Sequence, residues 1–599
     1  MEEPPSQNWR RFTRLRPDRK RIKRSAKKIE VATLKHAHTF IIRRWDNVKD
    51  VRQFALSWVV LIGLLIAVSG LQMLAYQRAF SQVVPVSGGT FAEGVAGPLE
   101  TINPLFASTS AEKSASALVF SGLLSYDKQN SLRGEVASSW RIEKEGRRYV
   151  VDMKQNVTWH DGAPVTAEDV VFTVGLMKNK LTNADSSLYN SWSGIIVTKL
   201  SQYSVAFDLP APNAPFPHAL TFGLIPKHLL NDIRPESLRE ATFSRSPIGS
   251  GPFVFNRLQL IDPDQDRVVL YLNANLKYVR GAPKLDRFQL HVYKDAERIK
   301  TAFMTSEINA ATGLSSSDLA HIKEANPNAI LPNTSIYDGL YALLRTDSPI
   351  LQDIKVREAL RLGTNRNAII AKLQGNGELL DGPLLPEHFA SLKNKKQPAF
   401  DSKAAGEKLD QAGWALQNNK RIKDGQLLTL TVVASRTGDY PVILEEITAQ
   451  WKALGITLDT QLVAPETIQQ NVVIPRAYDV LINDLVLGVD PDVYAYWHSS
   501  QAGPRGLNLS NYKSQIADEA LQSAHSRSET NLRQPKYETF VDTWLKDVPA
   551  IALYKPYLSY VTTATAVTMP INSIVADREG RYRNIEYWTI DKATNYKTP

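Results

Sequence analysis

Hydrophobic positions divide this chain into two regimes. Residues 54–76, FALSWVVLIGLLIAVSGLQMLAY, form one run of 23 residues without a charge. As a helix rising 1.5 Å per residue it reaches about 35 Å, enough to cross a hydrocarbon layer of roughly 30 Å with some tilt. A helix packed in a globular core keeps a polar face, and this run keeps none. Beyond it, apolar positions recur on short periods. Two-residue alternation predicts strands at 149–153, 204–209, 267–272 and 427–434. Helical spacing predicts helices at 167–178, 296–306, 356–373, 402–412 and 442–454. In the last of these Ile443, Ile447, Trp451 and Leu454 share one face, and Gly455 ends it. Mixed strand and helix signals over about 500 residues predict an α/β protein of at least two lobes.

Charge sharpens the reading of the apolar run. The 599 residues carry 71 Lys+Arg and 61 Asp+Glu, a net of +10. Residues 1–53 hold 16 of the bases and 6 of the acids, leaving 55 of each sign beyond them. The basic balance thus belongs to the arm that precedes the run, and the body is formally neutral. A cleaved signal peptide has a short basic region and an apolar stretch of about 7–15 residues, and both are exceeded here. The expectation is an uncleaved signal anchor over 54–76, with residues 1–53 cytoplasmic and the remainder extracytoplasmic by the positive-inside rule. The arm's RRFTRLRPDRKRIKRSAKK is read as a topology and lipid-surface signal, with no nucleic-acid partner expected. Residues 77–87 would form a short tether that keeps the body close to the membrane.

Candidate chemistry is sparse. The chain has no cysteine, which excludes disulfides, thiolate metal sites, cysteine nucleophiles and a lipid-modified cysteine. It has no GxxxxGK[ST], HExxH or GxSxG, and the glycines at 375 and 377 begin a GxGxxG that Leu380 ends. The ten histidines are scattered, and His36 and His38 lack a third ligand nearby. Asp490 and Asp492 flank a proline and read more readily as a turn than as a catalytic pair. Without a base, nucleophile or metal constellation, no enzymatic activity, metal or cofactor is expected.

An ordered set of segments carries more information. Residues 136–174 contain Ala137-Ser-Ser-Trp140, Trp159-His-Asp-Gly162 and Thr166-Ala-Glu-Asp169-Val170. LETINPL stands at 99–105, PIGSGPF at 247–253, and Asn275 and Tyr278 precede Gly281 and Leu285. Then come DIKVREAL at 353–360, the segment from Phe400 to Trp414, Tyr478-Asp479, Asp490-Pro-Asp492, and Asn508 with Tyr512. In this order the segments resemble the family 5 extracytoplasmic solute-binding proteins, the dipeptide and oligopeptide binding components of ABC importers. The resemblance covers roughly residues 88–560. Read physically, Asp161-Gly162 makes a tight turn, and Thr166 caps a helix with Asp169 at its third position. His160 packs at the surface, and Gly249 and Gly251 supply unusual backbone angles. Most of these residues are thus scaffold markers.

The resemblance implies an α/β, type II periplasmic-binding-protein fold with two hinged lobes and an extra subdomain in the first. The expected limits are 88–125, 246–334 and 547–599 for lobe 1, 126–245 for its subdomain, and 335–546 for lobe 2. A peptide or other small solute would bind between the lobes, and ABC permease subunits would recognise the closed form of a monomer. In the family an aspartate shortly before the DPD-like turn holds a peptide's amino group, and Leu487 falls at that position. Asp484 is the nearest acid. A buried ammonium without a charged partner loses several kcal/mol, so the expectation moves from a short peptide with a free amino terminus to a longer or blocked peptide, or another solute altogether. The expected contacts are Arg436, the arginine of 435–444, with Asp484, Asp490, Trp497, Tyr440 and Tyr341. A cell-surface sensor or scaffold is the alternative, and a hydrolase of extracytoplasmic peptides or sugars a third.

Overall fold

The computed structural model describes residues 31, 35, 52–182, 184, 189, 191–262, 267–570 and 573–596. Nearly all of the basic arm, with His36 and His38, lies outside the described residues. The chain divides into two compact units, residues 1–84 with 594–599, and residues 85–593. In the first unit a helix runs Arg52–Phe80. Within it Phe54–Tyr76 is long and apolar enough to cross a membrane, and none of it is buried. Residues 77–80, expected as tether, continue the helix for another turn.

The second unit is built on two six-stranded sheets and a four-stranded one. In the first large sheet Thr90–Ala96 lies parallel to both Arg287–Tyr293 and Ala310–Thr312, with Arg267–Ala274 and Phe253–Asp262 beyond the former and Tyr560–Thr562 beyond the latter. The second follows the order Gly377–Leu379, Ala550–Pro556, Asp338–Leu344, Val480–Val486, Thr429–Ser435 and Thr457–Val463. Its strand Asp338–Leu344 is buried on both faces. Leu340, Ala342 and Leu344 enter one core while Tyr341 and Leu343 enter the other, as a period of two requires. The small sheet, Ala137–Glu143, Arg148–Met153, Ser204–Asp208 and Ile196–Ser201, falls within residues 126–245. Its Tyr149, Val151 and Phe207 share a core with Phe91, Phe288 and Leu290 of the first large sheet.

The chain crosses between the two large sheets twice, and the crossings lie side by side. Leu558 N–H donates to the Thr334 carbonyl at 2.6 Å, and Ser335 bridges Tyr557. Ser335–Ile336 also pairs in parallel with Ile574–Val575. The return crossing therefore follows Pro556. The expected boundary at 547 is too early, because Ala550–Pro556 bonds to Asp338–Leu344 and Gly377–Leu379 inside the second sheet. The expected helix over 356–373 is likewise two helices, Ile354–Leu362 and Arg366–Lys372, separated around Gly363 and capped by Asp353 and Asn365.

The segments that carried the resemblance brace one another. Asp169 accepts from the N–H and hydroxyl of Thr166 at the start of Ala167–Met177, the helix the spacing predicts. Asp490 accepts from Asp492 N–H at 3.0 Å, the turn expected of that pair. Gly249 and Gly251 act differently from the expectation. Neither has a positive φ, but a Cβ at Gly249 would stand 2.0 Å from the Val119 carbonyl oxygen, and one at Gly251 2.6 Å from the Val119 carbonyl carbon. Close approach of backbone, not an unusual dihedral, requires glycine there.

His160 locks that approach. Gly249 N–H donates to Nδ1 at 3.2 Å, which leaves Nε2 as the protonated nitrogen facing the Gly251 carbonyl at 3.1 Å. Burial lowers its pKa below 6.5, outweighing the Gly251 bond. A depressed folded-state pKa means that acid favours the unfolded chain, so this contribution is full above about pH 6.5 and fades as pH falls below it. We predict that His160→Ala costs about 1–3 kcal/mol of unfolding free energy at pH 7.5, because the Gly249 N–H is left without its partner and the Gly251 carbonyl keeps only the Asn275 amide. Denaturant melts at pH 7.5 and 5 should show the variant's deficit shrinking in acid; an equal deficit at both would contradict the lowered pKa.

Candidate functional site

Between the two large sheets lies a cleft of about 970 Å³, at the upper end of the roughly 300–1,000 Å³ common for small-ligand sites. The first lobe lines it with residues 95–98, 108–110, 294–296 and 312–314. The second contributes residues 436–440, Asn376 and Asp484, and the return crossing contributes 556–559. The C-terminal segment adds Arg578, Glu579 and Arg581. Ends of strands supply most of these positions, so backbone direction fixes where the side chains enter.

Three of the six expected contacts meet here. Arg436 follows directly on the strand Thr429–Ser435, where its N–H donates to the Val463 carbonyl, and its side chain is exposed to the cleft. Tyr440 opens the helix Tyr440–Ala453 and donates its hydroxyl to Asp484 Oδ1. Asp484 stands on Val480–Val486, opposite Leu340. The other three lie elsewhere. Tyr341 is fully buried and donates to the Gly382 carbonyl at 3.0 Å. Trp497, 1% exposed, packs edge-on against Tyr341 and Trp544. Asp490 forms a two-pronged pair with Arg533 at 2.6 and 2.7 Å. These three hold the second lobe's core together and do not line the cleft. Leu487 also belongs to that core, and its N–H donates to the Tyr337 carbonyl.

The cleft's polar centre contains residues that the sequence did not single out. Arg578 Nη2 donates to Asp484 Oδ2 at 2.9 Å, and its Nε stands 3.7 Å from Asp338 Oδ2. Asp338 is almost wholly buried at the start of the doubly covered strand. Burial pushes its carboxyl up to about 7, against the pull of Arg578 and with a further push from Asp484. Burial, then Asp484, raises the Tyr440 phenol well above its ordinary value, so it remains a donor. Deeper in the first lobe, Glu93 accepts from Arg581 at 2.8 Å and from Tyr560, so Arg581 arrives already neutralised.

A second set of contacts spans the cleft. Ser316, at the N-terminus of the first-lobe helix Ser316–Ala325, donates its N–H and hydroxyl to Asp439 at 2.9 and 2.6 Å. Asn376 of the second lobe donates to the same hydroxyl at 2.9 Å. An anion at a helix N-terminus meets unpaired N–H groups and the positive end of the helix dipole. Among the described residues no cluster of three His, Asp or Glu side chains is placed to hold a metal. The arrangement is suited to enclosing a ligand with polar groups from both lobes.

Asp338 sets a pH dependence. Its folded-state pKa is raised, so between about pH 4 and 7 the folded chain keeps a proton the unfolded chain has lost, and stability from this group falls as pH rises through that window. Asp338→Asn removes the titration. The variant's melting temperature relative to the native chain should therefore be higher at pH 8 than at pH 5; the reverse order would contradict a buried, reluctantly ionised carboxyl.

The model of bacterial extracellular solute-binding proteins, family 5, matches residues 131–506. The oligopeptide-binding protein AppA of Bacillus subtilis is 29% identical over 486 residues, 79% of this chain and 87% of that protein. The structure of AppA from Bacillus subtilis in complex with a nonapeptide is similar with a TM-score of 0.71 and 27% identity, covering 85% of this chain and all of that one. NikZ from Campylobacter jejuni in complex with Ni(L-His) is similar with a TM-score of 0.70 and 25% identity, covering 84% of this chain and 99% of the other.

Proposed function

Because the chain belongs to the bacterial extracellular solute-binding proteins of family 5, binding components of ABC importers and not enzymes, we propose that residues 85–593 form a receptor that captures a peptide between its lobes. The observation that carries this reading is the 970 Å³ cleft with polar groups entering from both lobes. The likeness to an oligopeptide-binding protein, and to its nonapeptide complex, supports peptide as the solute. Arg436, Tyr440 and Asp484 form the second lobe's side of the ligand site, and the Ser316–Asp439–Asn376 contacts hold the lobes together over the captured ligand.

The receptor is membrane-anchored. Phe54–Tyr76 spans the bilayer as an uncleaved signal anchor, with the basic arm cytoplasmic, the body outside and the assembly monomeric. Binding drives closure only by the ligand's preference for the closed state, and a permease recognises that state and takes the peptide for import. The anchor raises the receptor's effective concentration at its permease without any new contact.

Two measurements test these statements. The fragment 85–593, compact in its own right, should fold as a soluble monomer. Mass spectrometry should identify its copurifying solute as peptide, and readdition of that solute should raise the melting temperature and reduce the radius of gyration. A retained solute that causes no compaction would argue against a closing receptor. For orientation, Ser6→Cys and Ser87→Cys each create the sole cysteine of the chain, and an impermeant thiol reagent on intact cells should label only the second. Labelling of both would contradict the assigned topology.

A further inference from the structure

Asp484 is a carboxylate that the second lobe turns into the cleft, and both of its oxygens are engaged. Tyr440 donates to Oδ1 and Arg578 to Oδ2. Arg578 does not come from the strands that bear the acids. It follows Ile574–Val575, which pairs with the crossing strand Ser335–Ile336, and so reaches the acids from the hinge side. Side-chain exposure orders the cluster: 53% for Arg578, 28% for Asp484 and 2% for Asp338. The guanidinium is therefore the outermost member, and a ligand arriving from the cleft meets it before either carboxylate.

We propose that Arg578 is a specificity-determining residue: it fills, from within the chain, the place at Asp484 that a ligand's ammonium would take, and so sets this point of the cleft to receive a neutral group, such as an interior peptide unit or an acylated amine. An ammonium brought here has two options. It displaces Arg578, exchanging one cation for another while the guanidinium gives up its charge-assisted bond to Asp484. Otherwise it sits beside Arg578 and adds a second positive charge. The tether favours the resident cation, since Arg578 is held at the site by the pairing of Ile574–Val575 at a high effective concentration. Asp338 does not reverse the balance in mild acid, because burial pushes its carboxyl up to about 7 and keeps it mostly protonated below that pH. Below about pH 6.5 the cluster thus carries little more than one negative charge against one guanidinium. A neutral ligand group leaves that balance intact and is accepted at no electrostatic cost.

This inference rests on the peptide reading above and names the peptide class. The test uses the full chain in detergent at pH 6.5 and an equimolar random hexapeptide mixture, half of each sequence acetylated at the amino terminus, with bound peptides counted by mass spectrometry. The native chain should retain acetylated forms at least as well as free ones. Arg578→Met, which keeps the aliphatic stem but uncovers the carboxylates, should shift retention at least tenfold toward free amines. Arg578→Gln serves the same purpose if the methionine variant melts abnormally. A native preference for free amines, or an unshifted ratio in a folded variant, overturns the role of Arg578 and leaves the peptide reading standing. Retention of neither form by any of the proteins overturns the peptide reading, and this proposal with it.

Discussion

Two short extended stretches, around Thr334 and Leu558, carry the chain between its large sheets, and the rest of the second unit is arranged around that pair. Their mutual bond, Leu558 N–H to the Thr334 carbonyl, keeps the crossings adjacent. Two adjacent extended crossings between two lobes have the geometry of a hinge. Each crossing also delivers chemistry to the cleft. The first leads within two residues to Asp338, and the second follows directly on Tyr554 and Pro556. The pairing of Ile574–Val575 with the first crossing then stations Arg578 over the same carboxylates. Hinge and polar centre are one construction, so a change in the angle between the lobes is felt at the cleft's charges.

The scaffold was legible in the sequence because its markers act locally or on one another. Thr166 with Asp169, and Asp490 with Asp492, satisfy backbone groups within a few residues, and such short-range chemistry can be read from spacing. The strand and helix periods predicted elements close to the observed ones, as in Tyr440–Ala453 for 442–454 and Ser204–Asp208 for 204–209. What spacing could not show was the mechanism at Gly249 and Gly251. Their need for glycine comes from Val119, more than a hundred residues earlier, pressed against them by the fold.

The ligand site was legible only in part, for the same reason. Arg436 and Tyr440 flank the turn after a strand, and the ends of strands in such sheets face the crevice between lobes. Trp497 and Tyr341 carried no equivalent signal, since a large aromatic serves a core and a cleft equally well, and here both fill the second lobe's core. Asp490 misled because its partner, Arg533, lies on a helix that spacing does not connect to it. Arg578 and Asp338 were missed as a pair because they are brought together only by the hinge. One signal was present: Asp338 is an acid at the head of the apolar run GLYALL, where a buried charge calls for an ion from elsewhere.

The polar contacts described across the cleft are partly exposed, which bears on how a ligand would drive the proposed closure. Arg578 is half exposed where it meets Asp484, and exposed ion pairs contribute at most about 1 kcal/mol. The hydrogen bonds from Ser316 to Asp439 are charge-assisted and aligned with a helix N-terminus, and each is worth roughly 1.5–3 kcal/mol at best. Against these stands the conformational freedom surrendered by two hinged bodies. A receptor that closes on its ligand needs open and closed forms within a few kcal/mol of each other. That is the condition under which a bound solute, by the surface it buries between the lobes, can decide which form prevails. A receptor locked by strong contacts of its own would present the closed face whether loaded or empty, and a transporter would learn nothing from it. Modest contacts across this cleft are therefore what the proposed receptor requires.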